Sequence, residues 1–351
     1  MGLFKSLRGK SNKAPRGFNF TKIAAIERLS ADTVKVIFDA SFNFTPGQYI
    51  NVSIEVNGNE ERRSYSICSG KNEPLAIAIK EVDHGTVSKW FNQEAKSGME
   101  VAISNPEGSF TKDAKAKNIV AIAAGSGITP IMSISKQVEG EGGNLRLYFG
   151  NRTENDIIFR SEIEALQHTS PTYFLSREEK EGFEHGRITK QVLVDEFKKD
   201  LSLLRADGFF LCGPEEMIVN ASEALEMFGV TKDKIHYELF TTPVLMKSEE
   251  TTVVADFTGK SQVTVVMDSD EENFELDSSK TLLEGALNEG IDAPYSCRGG
   301  VCSTCKAKIT EGSASMKINY SLTDQEVEEG FVLTCQAHPT SEKLTFNYDE
   351  A

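Results

Sequence analysis

Cys297-Arg-Gly-Gly-Val-Cys302-Ser-Thr-Cys305, answered by a fourth cysteine at Cys335, is the stretch on which the reading of this chain turns. The spacing is C-x4-C-x2-C followed by a distant Cys, the arrangement that holds a [2Fe–2S] cluster. Each iron needs two thiolates, and a loop supplying three of the four must fold tightly around the inorganic sulfides. Gly299 and Gly300 suit that loop, because glycine enters regions of positive φ and lets backbone N–H groups approach the sulfurs. A structural zinc site usually shows two C-x2-C pairs, and here there is one. A disulfide framework fits less well still. Cys297, Cys302, Cys305 and Cys335 are therefore the expected ligands of a cluster that passes electrons singly.

The 351 residues suffice for two or three domains with substantial cores. Cys68 and Cys212 stand outside the motif as isolated thiols, which is cysteine usage for a reducing, cytoplasmic compartment. No apolar run approaches the ~20 residues needed to span a bilayer, so no membrane partner is expected. Residues 1–16 carry Lys5, Arg8, Lys10, Lys13 and Arg16, no acid and no continuous apolar segment, and read as a solvated basic tail. From Asp256 to Ala351, 18 acidic against 7 basic residues leave −11 of the net −15. That charge argues against nucleic acid and for a basic protein surface as partner, the alternative being a merely solvated face.

Outward from the cysteine loop, three patterns divide the chain. Residues 17–113 read as short strands with turn punctuation, clearest at Val34–Phe38, Tyr49–Ile54 and Leu75–Lys80, and predict an antiparallel β-barrel. Residues 114–240 alternate apolar strand and helix: Asn118–Ala124, Leu145–Phe149, Thr172–Leu175 and Gly208–Cys212 predict a parallel sheet with helices on both faces. Residues 241–252 form a polar, proline-containing linker. Residues 253–351 contain strands at Val263–Val266 and Phe274–Leu276, a helix over about Thr281–Glu289, and then the cysteine loop.

Several short motifs carry chemistry. In Arg63-Ser64-Tyr65-Ser66 a guanidinium can pair with a pyrophosphate, a ring can stack on a flavin and a hydroxyl can reach the flavin N5. Strand alternation places Arg63 and Tyr65 on one face and Ser66 on the other. Gly85-Thr86-Val87-Ser88 opens a helix whose N–H groups favour a phosphate, with a plain capping box as the alternative. Gly125-Ser126-Gly127-Ile-Thr129-Pro130 follows the first parallel strand, although it is not the G-x-G-x-x-G fingerprint. Together with Gly150-Asn151-Arg152, Ser176-Arg177 and Cys212-Gly213-Pro214, it predicts four loops converging at the carboxyl ends of the strands.

These residues resemble the ferredoxin–NADP reductase superfamily, and Pro294 to Gln336 resembles a plant-type ferredoxin. The order of domains is similar to that of the hybrid reductases that feed multicomponent oxygenases. The narrower likeness, carried by Arg62-Arg63-x-Tyr65-Ser-Ile-Cys68, Tyr148-Phe-Gly-Asn-Arg-Thr153, Gly186-Arg187-Ile188 and Asn319-Tyr-Ser-Leu322, is to the reductase subunits of bacterial phenylacetyl-CoA epoxidases. The resemblance implies a flavin-binding barrel, a nucleotide-binding α/β domain and a C-terminal β-grasp [2Fe–2S] domain.

It further implies FAD held by Arg63, Ser64, Tyr65 and Ser66, with Gly85 to Ser88 at its pyrophosphate and Thr129 near the ring. Gly125, Ser126, Gly127, Cys212, Gly213 and Pro214 would receive the nicotinamide nucleotide. Arg152, Ser176 and Arg177 would meet a 2′-phosphate, favouring NADPH. Ser66, Cys212 and Glu238 are the candidates for roles beside the reacting flavin. Phe240 departs from relatives that end in a tyrosine covering the flavin. The implied partners are di-iron oxygenase subunits. A reductase for a Rieske dioxygenase or a desaturase, and a redox sensor, are the alternatives.

Overall fold

The structure is a computed structural model that describes residues 14–241 and 257–351. Residues 1–13 of the expected tail, and the expected linker beyond Thr241, lie outside the described residues. Arg16 is no part of a solvated tail: its guanidinium pairs with Asp268 and its backbone N–H bonds Asp292.

Six antiparallel strands form the first unit: β1 (Phe18–Ser30), β2 (Thr33–Phe38), β3 (Tyr49–Val56), β4 (Asn59–Ser66), β5 (Ala76–Lys80) and β6 (Glu100–Ser104). They pair in the order β4-β3-β6-β1-β2-β5. The two edges meet at the Ile67–Ile77 bridge and at a 2.9 Å bond from Cys68 N to the Ala76 carbonyl. The expected barrel is thus an antiparallel sheet whose edges touch at one short seam, with no ladder closing it. Alternate residues Val34, Val36 and Phe38 point inward with Ile50, Val52, Ile77 and Ile79, and helix α1 (Thr86–Gln93) adds Val87 and Phe91 to this core.

The second unit is an all-parallel sheet of β7 (Asn118–Ala124), β8 (Asn144–Asn151), β9 (Thr169–Leu175), β10 (Glu184–His185), β11 (Gly208–Cys212) and β12 (Ile235–Glu238), in the order β10-β9-β8-β7-β11-β12. Strands β7 and β11 are apolar almost throughout because both faces of the sheet are covered there. Ile131 and Ile134 of α2 (Ile128–Gly140) and Ile163 of α3 (Arg160–Ala165) pack with Ala121 and Ala123. Leu193 and Phe197 of α4 (Lys190–Lys199), with Ile218 and Leu225 of α5 (Glu215–Met227), pack with Val120 and Ile122 on the opposite face. Cys68, Ala76, Ala78 and Phe110 of the barrel belong to the first of these clusters, so the two units share a core. Strand order reverses between β7 and β11, which opens a crevice at their carboxyl ends.

The third unit has its own core. Its strands are β13 (Lys260–Met267), β14 (Asp270–Asp277), β15 (Lys306–Glu311), β16 (Ala314–Met316), β17 (Phe331–Leu333), β18 (Ala337–Pro339) and β19 (Lys343–Asn347), with helices α6 (Leu282–Asn288) and α7 (Asp324–Glu328). Five strands form a mixed sheet in the order β14-β13-β19-β15-β17. Helix α6 begins in a capping box of Thr281 and Glu284 and buries Leu282, Leu283 and Ala286. Among the described residues no helix is long and apolar enough to cross a membrane.

Candidate functional site

The four loops converge as the sequence predicts. Gly125–Gly127, Gly150–Arg152, Ser176–Arg177 and Gly213–Pro214 line one cavity of about 520 Å³. The turn after β7 lies against the one after β11: a Cβ on Gly127 would overlap the Cys212 carbonyl. Gly125 has φ +54°, so the turn needs glycine twice, once for conformation and once for space. Thr129 is buried and its hydroxyl donates to the Ser126 carbonyl at 3.0 Å, bracing the turn from within. Arg152 and Arg177 stand exposed at the rim, tied by a 2.9 Å bond from Arg177 N to the Arg152 carbonyl. Phe240, 44% exposed, lines the same cavity.

The sequence marks Asn151 only as part of its loop. It lines this cavity and is 7% exposed, yet neither Oδ1 nor Nδ2 has a hydrogen-bond partner. A buried amide left unpaired costs about 1–3 kcal/mol, so the donor set fits a polar ligand in the crevice. Lys80, Arg187, Thr189 and Asn220 also line the cavity. Only tertiary structure brings them there, although Arg187 lies in a stretch that already carried the family likeness.

Strand alternation divides β4. Tyr65 packs edge-on against Phe91 of α1, with centroids 6.3 Å apart, while Arg63 is exposed, its Nη1 donating to the Arg62 carbonyl at 2.7 Å. Beside them, α1 starts without a side-chain cap. Ser88 Oγ accepts from Val82 N at 3.2 Å instead of closing a capping box, and a Cβ on Gly85 would lie 2.5 Å from Val82 Cγ2. An uncapped helix start, with an exposed guanidinium and an aromatic ring on the strand that packs against the same helix, fits a flavin with its pyrophosphate. Ser64, expected with this group, faces the other way: its Oγ lies 2.8 Å from Asn51 Oδ1 and 2.7 Å from Ser296 Oγ.

Ser66, Cys212 and Glu238 are brought together. Ser66 Oγ donates to Glu238 Oε2 at 2.9 Å, and Cys212 is the register partner of Glu238 across β11 and β12. Burial pushes the Glu238 carboxyl up to about 7, with the Ser66 hydroxyl opposing it. Burial likewise drives the fully buried Cys212 thiol well up, helped by the nearby Glu238 charge, so this side chain is a neutral wall. The pair Ser66–Glu238 can hold or move a proton near neutrality.

The four motif cysteines lie as two neighbouring pairs, Cys297 beside Cys302 and Cys305 beside Cys335. Two thiols for each of two irons is the donor set that a [2Fe–2S] cluster requires. Among the described residues no three His, Cys, Asp or Glu side chains converge as a single-ion site would need. Gly299 N donates to Cys297 Sγ at 3.4 Å. The positive φ of the loop falls on Gly300 at +73° and on Arg298 at +54°, where the sequence suggested Gly299 and Gly300.

Three family models match in sequence: an oxidoreductase FAD-binding domain over residues 21–111, an oxidoreductase NAD-binding domain over 121–223, and a 2Fe-2S iron-sulfur cluster binding domain over 265–340. A component of the 1,2-phenylacetyl-CoA epoxidase of Escherichia coli (strain K12) is 32% identical, covering 95% of this chain and 98% of that one. The chain belongs to this reductase family. An E. coli (strain K12) relative described as NADH oxidoreductase HCR is 30% identical, over 88% of this chain and 90% of its own length. The phthalate dioxygenase reductase structure shares the fold at a TM-score of 0.60 and 23% identity, covering 94% of this chain and 98% of that one. The loops of the crevice at 125–127, 150–152, 176–177 and 213–214 fall within the stretch matched by the NAD-binding model, the β4 motif within the FAD-binding one and the four motif cysteines within the 2Fe-2S one.

Proposed function

We propose that this reductase takes electrons from NADPH and delivers them singly to a di-iron oxygenase acting on an aryl-CoA thioester, with phenylacetyl-CoA as the substrate of that partner. The observation that carries the reading is the likeness to the E. coli epoxidase component, which runs through all three domains in the same order. When bound, FAD accepts a hydride and releases its two electrons one at a time to a [2Fe–2S] cluster, whose class has potentials near −400 mV.

The residues supply positioning. Arg63 and Tyr65, with the amides from Gly85 to Ser88, hold the flavin, and Ser66 with Glu238 holds a proton beside it. Gly125 to Gly127, Gly213 and Pro214 receive the nucleotide, with Asn151 offering its unpaired amide. Arg152, Ser176 and Arg177 present two cations and a hydroxyl, a set suited to a 2′-phosphate dianion. Phe240 covers the mouth of the crevice. Cys297, Cys302, Cys305 and Cys335 hold the cluster.

The test is reconstitution. NADPH oxidation by the purified reductase should couple to O2 consumption only when the di-iron oxygenase and phenylacetyl-CoA are both present. Efficient coupling to a different oxygenase, with none to this one, would overturn the partner assignment.

A further inference from the structure

The face of the β3–β4 hairpin turned away from Tyr65 is polar throughout. Directly opposed across it are Tyr49 and Ser66, Asn51 and Ser64, and Ser53 and Arg62. A barrel strand facing water carries polar residues as a matter of course, but Tyr49, Asn51, Ser53, Arg62 and Ser66 are all buried. Much of the cover comes from the cluster domain.

Arg62 is the anchor of that contact. It is 3% exposed, donates through Nη2 to Asp292 Oδ1 at 2.6 Å and through Nε to Glu60 Oε1 at 2.5 Å. Its guanidinium lies over the rings of Phe18 and Tyr295, 5.2 and 4.7 Å from their centroids. The second oxygen of Asp292 accepts from Arg16 N at 2.8 Å, so the flavin domain grips both. Nearer the cysteines, Ser64 meets Ser296, the residue before Cys297. Closest of all is Thr304, between Cys302 and Cys305. Its hydroxyl donates to Glu107 Oε2 at 3.1 Å, while Asn51 Nδ2 donates to it at 3.1 Å.

The chemistry of this contact differs from the one between the other two domains. Barrel and nucleotide domain share an apolar cluster, whereas the cluster domain keeps its own core and meets the barrel largely through paired polar groups. Apolar area is non-directional, but hydrogen bonds and a carboxylate held through both of its oxygens by separate donors fix register. A buried guanidinium also penalises any arrangement in which it loses its partner.

We propose that this face is a dock that registers the cysteine loop against the flavin domain, with Arg62, Asp292 and Glu107 as positioning residues for the internal electron hop. The proposal rests on the reading of the chain as a flavin-to-cluster reductase. No bond is made in the hop: one electron leaves flavin that NADPH has reduced and enters the cluster. Tunnelling between two centres falls steeply with the gap between them, so loss of register slows it.

The test uses the full-length holoprotein and the variants Arg62→Ala, Asp292→Ala, the double variant, Asp292→Glu and Glu107→Gln. Three readouts are taken: flavin-to-cluster transfer by stopped flow, NADPH–ferricyanide turnover, and the radius of gyration by small-angle scattering. We expect the Arg62 and Asp292 single variants to slow transfer at least tenfold and to expand the particle. Ferricyanide turnover, flavin content and cluster spectrum should stay within twofold of the parent. The double variant should be no worse than either single one, because both remove the same contact. Asp292→Glu should recover part of the rate, and Glu107→Gln should slow transfer with little expansion. Unchanged transfer and unchanged dimensions in Asp292→Ala would overturn the dock, as would additive losses in the double variant. Should Arg62→Ala not fold, Asp292→Ala decides alone, since that carboxylate is half-exposed. If the parent protein passed no electrons from flavin to cluster, the functional reading would fail, yet expansion on Asp292→Ala would still report the dock.

Discussion

Ser66 Oγ and Glu238 Oε2, 2.9 Å apart, join the flavin-motif strand to the last strand of the nucleotide domain. The contact ties the hydroxyl proposed to sit beside the flavin to a carboxyl that burial pushes up to about 7. Above that pH Glu238 is charged and can accept a proton through Ser66; below it, the carboxyl already holds one. NADPH–ferricyanide turnover should therefore fall as the pH drops through about 7, and Glu238→Gln should flatten the profile. The stability effect has the opposite sense. A carboxyl whose folded pKa is raised binds a proton that the unfolded chain releases, so its contribution declines as pH rises from the ordinary 4.5 towards about 7. Glu238→Gln should remove that decline in urea titrations. A pH step retained in the variant would assign the titration to another group.

The nucleotide rim gives a sharper test. Arg152 and Arg177 are exposed beside Ser176 at one end of the cavity. Each charge-assisted bond to a phosphate contributes about 1.5–3 kcal/mol. Arg177→Ala should raise KM for NADPH by about tenfold or more and leave KM for NADH nearly unchanged. Equal damage with both nucleotides would make Arg177 a structural residue.

The cysteine loop is separable from the flavin chemistry. Cys305 is 1% exposed within the core of the third unit, which is distinct from the core shared by the other two. Cys305→Ser should abolish the cluster spectrum and cytochrome c reduction while sparing FAD and ferricyanide turnover with NADPH. Simultaneous loss of FAD from a folded protein would contradict this modularity.

At the crevice floor, Gly127→Ala places a methyl group on the Cys212 carbonyl, which cannot swing away as a side chain could. Overpacking of this kind costs about 1–3 kcal/mol, so the melting temperature should drop and KM for both nucleotides should rise. An unshifted melting temperature would mean that the two loops separate freely.

The sequence made some of this legible and hid the rest for physical reasons. Cysteine spacing is legible directly, because three cysteines in one loop leave little freedom, and the structure sets Cys297 beside Cys302 and Cys305 beside Cys335. Strands β2, β3 and β5 announced themselves through apolar residues at strand spacing. Strand β1 did not: it pairs with β6 over Phe18–Lys22 and then with β2 from Ile23, shifting register near Ala25, so its alternation breaks. The dock was invisible for another reason. Arg62 and Asp292 are 230 positions apart, and Thr304 and Glu107 are 197 apart, distances over which neither periodicity nor motif carries information. Asn151 lay in a loop already singled out, but only its burial without a partner marks its amide.

The acidic cluster domain bears on the partner. Most of the net charge of −15 resides there, and Glu271, Glu272, Asp324 and Glu328 are exposed on it. Such a field steers encounter with a basic surface and is screened over a Debye length of about 8 Å at physiological ionic strength. Coupled turnover with the oxygenase, O2 and phenylacetyl-CoA should thus slow severalfold between low and physiological salt, whereas ferricyanide turnover, which needs no protein partner, should change far less. Replacing Glu271 and Glu272 by Gln should flatten the salt dependence of the coupled reaction and raise the oxygenase concentration needed for half-maximal rate. A coupled rate indifferent to salt would mean that the acidity serves hydration alone, and the oxygenase would then have to recognise the reductase through uncharged contacts.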